Sequence, residues 1–368
     1  MRVLLCSELF WPHIGGAEIL MANFMTAMKK RGYQFAVATS HSARKLPDQE
    51  SYNGIPIHRF HFHRALTERN LDQIKVVREQ VAKFRAYIKP DIVHLNDISA
   101  NTFFQMQAAS AYPAPTIVTI HGLPLISEIM ENSLFNRTLL SADRIVAVSQ
   151  DILDKIREIL PETSSKSSVI LNDLELPQLQ PDPLPFHPPQ LMGIGRLFPH
   201  KGFDLALEAF SIIHRLFPYV KMVIAGDGPA KPDLIQHTKK LGLENVVKFT
   251  GWVDPDKVPE LINESTAIIM PSRREPFGLV ALQTAQMARP IVATNVGGLP
   301  EVVEHGYSGF LVEVEDTQGL ADRLIYILKH PEAASRMGAN ARQRVQELFS
   351  WDGFLDQYEE LYNQLLQK

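Results

Sequence analysis

The sequence predicts an α/β protein of two Rossmann-like, doubly wound parallel-sheet domains facing each other across a cleft. Three observations predict it. Short apolar runs alternate with stretches of helical periodicity along nearly the whole chain, the pattern of βαβ units. The alternation stops at a Pro-rich stretch near the middle and then restarts from a new strand. Many of the runs end in glycine or a polar residue, where a parallel sheet opens its ligand crevice.

The 368 residues suggest two domains, with room for three. Hydrophobic content of 45% and charged content of 21% are those of an ordinary soluble globular chain. A net charge of −4 argues against nucleic acid as a partner. The single cysteine, Cys6, lies inside the first apolar run and has no partner for an internal disulfide, which fits a reducing compartment. Met1-Arg2 leads straight into Val3–Cys6, too short for a signal-peptide core. No run approaches the ~18–20 apolar residues of a membrane span. A cytoplasmic protein is expected.

Val3 to Ser7 reads as the first strand, and the loop after it holds His13, Gly15 and Gly16. A helix from Ala17 to about Lys30 follows, with Ile19, Leu20, Phe24, Ala27 and Met28 at helical spacing. Gly32 closes it after the basic turn Lys29-Lys30-Arg31, and Gln34–Thr39 is the second strand. The Gly15-Gly16 pair departs from the dinucleotide fingerprint G-x-G-x-x-G; alone it marks either a plain turn or a close backbone approach.

Residues 55–90 carry eight Lys/Arg against three acids, a local balance of +5. There His58, His61 and His63 alternate with Arg59, Phe60, Phe62 and Arg64. This is either a strand with one wet face or a basic, aromatic surface for an anionic acceptor or membrane headgroups. The second reading would make the protein peripheral at the inner face of the membrane. Asp91–Asp97, Thr116–Gly122 and Asp143–Ser149 read as strands ending in polar groups, and among these Asp97 and His121 stand at crevice positions. His121, in a His-Gly pair at a strand end, is either functional or a structural histidine bonding a loop carbonyl.

Val169–Asn172 closes the first domain, residues 1–176. Six prolines between Leu176 and Gln190 exclude helix and central strand, so residues 177–190 read as the linker. The second domain, 191–350, opens with strand Leu191–Gly195 and the loop Arg196–Gly202, then a helix from about Asp204 to Leu216. Lys221–Gly228 is strand and turn before a helix through Lys240. Val246–Trp252 is a strand, and Asp256–Asn263 a short helix. Ala267–Met270 is a buried strand, ended by Pro271-Ser272. Past the loop Arg273–Gly278, Leu279–Met287 has helical periodicity. Pro290–Thr294 is the next strand and Asn295–Gly298 a glycine-rich turn. Leu299–His305 reads as helix, Gly309–Val312 as strand, and Gln318–Lys329, Pro331–Leu348 and Trp351–Leu366 as helices.

The chemistry concentrates on two loops. Arg196 and Lys201 are two cations five residues apart between a buried strand and a helix. Such a pair clamps a diphosphate, Arg by its fork and Lys as a point charge, or else is simply solvated. Glu275 precedes Pro276 and is therefore extended; it either complements the following helix dipole or accepts hydrogen bonds from sugar hydroxyls. The N–H groups of Phe277, Gly278 and Leu279 at the helix start suit an anion. A sugar attached to a diphosphate presents both features. Zinc-ligand spacing, a P-loop and a G-x-S-x-G elbow are absent from the sequence.

On these residues the chain resembles the family 4 retaining glycosyltransferases of the GT-B fold over essentially its whole length. The resemblance is carried, in this order, by Gly15-Gly16-Ala17-Glu18, His121-Gly122, Gly195-Arg196-Leu197 with Lys201-Gly202, Gly226-Asp227-Gly228-Pro229, Glu275-Pro276-Phe277-Gly278 and Asn295-Val296-Gly297-Gly298-Leu299-Pro300-Glu301. It implies a hexosyl transfer from a nucleotide-diphosphate sugar, UDP-linked before GDP-linked, to a saccharide or glycolipid acceptor. It implies no metal and no cofactor beyond that co-substrate. Gly15, Gly16 and His121 would face the donor, and Arg196 and Lys201, with the Phe277, Gly278 and Leu279 amides, would hold the diphosphate. Glu275 would bind the transferred sugar and Trp252 would lie by the base. His13 and Asp97 would serve the acceptor, and the helix 351–368 would pack back onto the first domain. The family's second glutamate, which holds the ribose, is Gln283 here, and Asn172-Asp173-Leu174 replaces its usual Asn-Gly turn. Two other readings stand beside transfer: a GT-B-shaped epimerase or phosphorylase, and a catalytically weak sugar-nucleotide-binding subunit, suggested by Gln283.

Overall fold

A computed structural model describes residues 1–12, 15–42, 45–124 and 133–367. The chain divides into two compact units, Met1–Asn172 with Asp352–Lys368, and Asp173–Trp351.

The first unit is an eight-stranded sheet in the order β3-β4-β2-β1-β5-β6-β7-β8. Its strands are β1 (Arg2–Ser7), β2 (Gln34–Ser40), β3 (Gln49–Tyr52), β4 (Ile55–Phe60), β5 (Ile92–Asn96), β6 (Thr116–Ile120), β7 (Arg144–Ala147) and β8 (Ser167–Val169). All neighbours are parallel except β3 and β4. The central strands are buried along almost their full length because helices cover both faces of such a sheet. Helix α1 (Gly16–Lys30) buries Leu20, Met21, Phe24, Met25 and Met28. Helices α2 (Phe62–Thr67), α3 (Leu71–Ile88), α4 (Ala100–Gln107), α5 (Leu134–Ser141) and α6 (Gln150–Ile159) complete the crossovers.

The last helix of the chain, Trp351–Leu366, belongs to this unit almost entirely. Its Phe354, Tyr358 and Tyr362 rings pack around Phe24 at 4.9–6.5 Å. Arg31 holds its outer face through Asp352, Asp356 and Glu359 at 2.5–3.2 Å.

Three expectations for this unit are corrected. The histidine alternation is not a strand throughout: β4 ends at Phe60, and His63 stands on α2. Arg59 and Arg85, read as part of a basic surface, are buried. Arg59 pairs with Glu50 and Arg85 donates to the Tyr112 carbonyl, so the fold consumes both charges. The closing strand is Ser167–Val169 rather than 169–172, at the sheet's edge where only β7 pairs with it. The hairpin β3–β4 was missed, although Asn53-Gly54 between its strands is a strong two-residue turn signal.

The second unit is a six-stranded, all-parallel sheet, β11-β10-β9-β12-β13-β14. Its strands are β9 (Gln190–Ile194), β10 (Lys221–Ala225), β11 (Val247–Gly251), β12 (Ala267–Met270), β13 (Ile291–Thr294) and β14 (Gly309–Val312). The helices are α7 (Phe203–Leu216), α8 (Lys231–Lys240), α9 (Val258–Asn263), α10 (Leu279–Gln286), α11 (Leu299–Val302), α12 (Thr317–Lys329) and α13 (Pro331–Leu348). Helix α11 stops at Val302, short of the expected His305.

The Pro-rich stretch read as a linker is counted in this unit. Asn263 and Asp182 exchange hydrogen bonds at 2.7 and 2.9 Å, and the buried Arg289 donates to the Asp182 carbonyl at 2.9 Å. Prolines lack donors, but their carbonyls still accept, and Thr266 donates to that of Pro185.

Candidate functional site

In a doubly wound sheet the ligand crevice opens where successive connections leave in opposite directions. In the second unit this switch lies between β9 and β12, which are adjacent although β10 and β11 separate them in sequence. The loop after β9 carries Arg196 and Lys201, and the loop after β12 carries Ser272 and Glu275. The chain brings Lys201 Nζ to 2.6 Å from Glu275 Oε2, and Ser272 Oγ donates to the same oxygen at 3.2 Å. Both charges are largely withdrawn from water, with side chains 21% and 8% exposed. Removing one partner of an ion pair so placed strands a buried charge, which costs more than breaking a surface pair.

Two glycines make this approach possible. Gly202, at φ +69°, lies so close to the β12 loop that a Cβ there would stand 1.9 Å from the Pro271 carbonyl oxygen. Gly297, at φ +56°, leaves the same 1.9 Å to the Glu275 carbonyl oxygen. Only glycine fits either position. The loops are also fastened through Arg273, whose guanidinium grips Asp204 with two bonds of 2.7 and 2.8 Å, binds Glu315 and donates to the Pro199 carbonyl. These partners raise its pKa, with the Asp204 hydrogen bonds first among the causes.

Arg196 is exposed and lies over the Phe198 ring, its guanidinium carbon 5.3 Å from the centroid. Gly278, at φ +108°, precedes helix α10, and among the described residues no side chain caps it, so its first-turn N–H groups stay open to an anion. Phe277 is buried against Phe349 and supplies shape rather than a polar side chain. Leu279 and Gln283 are half-buried on α10, and Trp252 is 56% exposed just beyond β11.

The first unit has its own switch between β1 and β5. Asp97 follows β5 with φ +77°, and its Oδ1 accepts the Ile98 N–H at 2.9 Å. Burial, helped by the Glu18 carboxylate, pushes its pKa up to about 7 against that hydrogen bond. Gly15 stands before α1 with Glu18 folded back beside it, and Gly16 opens the helix. His121, just past β6, has its Nε2 2.7 Å from Asn96 Oδ1, which makes Nε2 the protonated nitrogen. Burial lowers its pKa to about 4, so it is neutral at physiological pH. His94, one layer down in β5, bonds Tyr362 at 2.7 Å and Thr119 at 2.8 Å and belongs to the core.

Of the site residues read from the sequence, Lys201 and Glu275 meet directly, and Arg196, Phe277, Gly278, Leu279 and Gln283 lie on the same two loops and the helix that leaves them. Gly15, Asp97 and His121 lie on loops, and Gly16 at the start of α1, at the carboxyl edge of the other sheet. His13 lies outside the described residues. Sequence reasoning missed Ser272 and Arg273. The carboxylates flanking Arg273 in space are distant in sequence, and only the position of Ser272 in the β12 loop could have pointed to it.

Two family models match the chain side by side: "Glycosyltransferase Family 4" over residues 14–173 and "Glycosyl transferases group 1" over residues 180–344. A glycogen synthase of Mycobacterium tuberculosis is 29% identical over 280 residues, spanning 72% of this chain and 66% of that protein. Among solved structures, a sucrose-phosphate synthase from Thermosynechococcus elongatus superimposes with a TM-score of 0.87 at 22% identity, covering 100% of this chain and 99% of its own. Anabaena HepE, in complex with UDP-glucose, gives a TM-score of 0.80 at 21% identity, over 99% of this chain and 100% of its own.

Proposed function

Because this chain belongs to the family 4 glycosyltransferases and has their GT-B fold, we propose that it moves a hexose from a UDP-linked donor, held by its second unit, to the hydroxyl of a saccharide or glycolipid. The observation that carries the reading is the Lys201–Glu275 pair beside the uncapped start of α10. The UDP-glucose complex of HepE supports uridine as the base.

In the free protein Lys201 and Glu275 neutralise each other. A diphosphate offers Lys201 a stronger partner, together with Arg196 and the first N–H groups of α10. Glu275 is then released to accept hydrogen bonds from the sugar hydroxyls. As the glycosidic bond breaks, negative charge grows on the departing diphosphate, and these donors stabilise it. The acceptor hydroxyl attacks the anomeric carbon on the leaving-group face, its proton passes to the departing phosphate oxygen, and configuration is retained without an enzyme nucleophile. Gln283 takes the ribose hydroxyls with a neutral amide, at a loss of about 1 kcal/mol relative to a carboxylate. Trp252 flanks the base. His121 and the Gly15-Gly16 turn serve the transferred sugar, and Asp97 the acceptor hydroxyl.

A glycolipid acceptor is supported by α3, which exposes Leu71, Val76 and Tyr87 among Lys75, Arg78 and Lys83. Co-sedimentation with vesicles should rise with their anionic lipid content; indifference to it removes the lipid form of the reading.

Thermal shifts with UDP, GDP, ADP and their sugar conjugates test the donor site. At ~100 times its dissociation constant a ligand adds ~2.7 kcal/mol. UDP compounds should stabilise the wild type and lose that effect in Arg196→Ala/Lys201→Ala. A shift that survives the double substitution overturns the clamp, and silence with every nucleotide overturns the donor reading.

A further inference from the structure

His200 has no part in the chemistry described so far, yet it stands at the centre of the donor-side charges. It occupies the short turn Pro199–Lys201, and its carbonyl accepts the N–H groups of Arg273 at 2.8 Å and Arg274 at 3.4 Å. Its ring stacks on Phe198 at 5.8 Å and 28°, and Phe198 in turn carries Arg196. The half-buried imidazole makes no hydrogen bond among the described residues. The charged groups acting on it are Lys201, Arg274 and Arg196, against the single carboxylate Glu275, which Lys201 already occupies.

We propose that His200 is a proton-linked contact of the donor diphosphate: it is neutral in the free protein and takes up one proton when the diphosphate enters. The inference rests on the donor reading above. Burial first, and then the three neighbouring cations, hold the free imidazole below its ordinary pKa. An arriving diphosphate reverses the sign of the local field, so the imidazolium becomes the favoured form and adds a charge-assisted hydrogen bond where Phe198 already orients the ring. Linkage is reciprocal: if binding draws in a proton, a lower pH tightens binding. Affinity therefore strengthens as pH falls from above the bound-state pKa to the free-state pKa, by up to about tenfold per pH unit for one proton.

The test is calorimetry with UDP-glucose, UDP-N-acetylglucosamine and GDP-mannose at several pH values, in buffers of different ionisation enthalpy. These donors are esterified at both ends of the diphosphate and exchange no proton of their own near neutrality. Wild type should absorb a measurable fraction of a proton per donor bound, greatest at pH values between the free-state and the bound-state pKa. His200→Gln should bind without proton uptake and with a flat pH profile, and His200→Lys should bind without uptake while keeping affinity at high pH. Donor binding by wild type without proton uptake, or uptake that persists in His200→Gln, overturns the role of His200 alone. Failure of wild type to bind any sugar nucleotide overturns the donor reading and this inference with it.

Discussion

The two units place loops at the same point of the same architecture and furnish them with opposite charge. At the β9/β12 switch, Lys201, Arg196 and Arg274 outnumber Glu275, and the helix that follows adds open N–H groups. At the β1/β5 switch stand the carboxyl groups of Glu8, Glu18 and Asp97, with the neutral His121 beside them. The carboxyl edge of a parallel sheet thus provides a place, and the loop side chains decide what it receives. On the function proposed above, one edge receives the diphosphate and the other the acceptor hydroxyl.

Substitutions that invert or erase the difference should sort by side. The largest effect is expected from Lys201→Ala, which removes the cation proposed to hold the leaving group and leaves the buried Glu275 carboxylate without its cation. Turnover, read as kcat/KM with a UDP-sugar, should fall by ~10²–10³. Glu275→Gln should separate the two halves of the donor. It frees Lys201, so UDP affinity should hold or rise in titration calorimetry, while kcat falls about 10²-fold because the sugar loses its carboxylate.

On the other edge, Asp97→Asn should leave UDP affinity untouched and raise the acceptor KM about tenfold. It should also stabilise the first unit. A carboxyl whose folded pKa is raised destabilises the fold as pH rises through that range, so removing it gains ~1–2 kcal/mol at pH 8 and little at pH 4. Denaturant midpoints at the two pH values check this.

Three smaller tests concern the supports beneath each edge. Tyr362→Phe leaves a buried His94 nitrogen without its partner and should cost ~1–3 kcal/mol in the first unit alone. Burial holds the pKa of His94 down to about 3 and that of His121 to about 4, below the ordinary 6.5, so the unfolded chain takes up their protons first. Stability of that unit should fall as pH drops from about 6.5 towards 4, through these two groups, in acid titration followed by circular dichroism. Arg273→Lys keeps the charge but loses the bidentate grip on Asp204, and should lower the second unit's melting point with a cost of about 1 kcal/mol.

Much of both edges could be read from the sequence because glycines, prolines and polar strand ends are local signals. Gly202 and Gly297 are legible as turns, but their real demand, backbone against backbone across two loops, depends on a neighbour strand. Lys201 and Glu275 are 74 residues apart, and their meeting follows from β12 lying beside β9, which no local pattern states. His58, His61 and His63 show the opposite failure. Their alternation looks like a strand, yet the chain turns into α2 after Phe60, and the burial of Arg59 and Arg85 removes two of the cations that made the stretch look like a surface. His94 was separable from His121 only by weighing strand interior against strand end, and its bond to Tyr362 decides the matter.

The return of the last helix to the first unit has a consequence for how the molecule is made. A ribosome delivers the amino end first, and domains commonly fold in that order. Here Tyr358 and Tyr362, which fill the space beside Phe24 and satisfy Thr119 and His94, are synthesised after every residue of the second unit. The unit begun first is therefore finished last. Until residues 351–366 emerge, the nascent chain carries a completed second unit behind an open apolar face around Phe24. The interval between them is the time needed to translate the whole second unit, and a chaperone that binds such faces has that long to act.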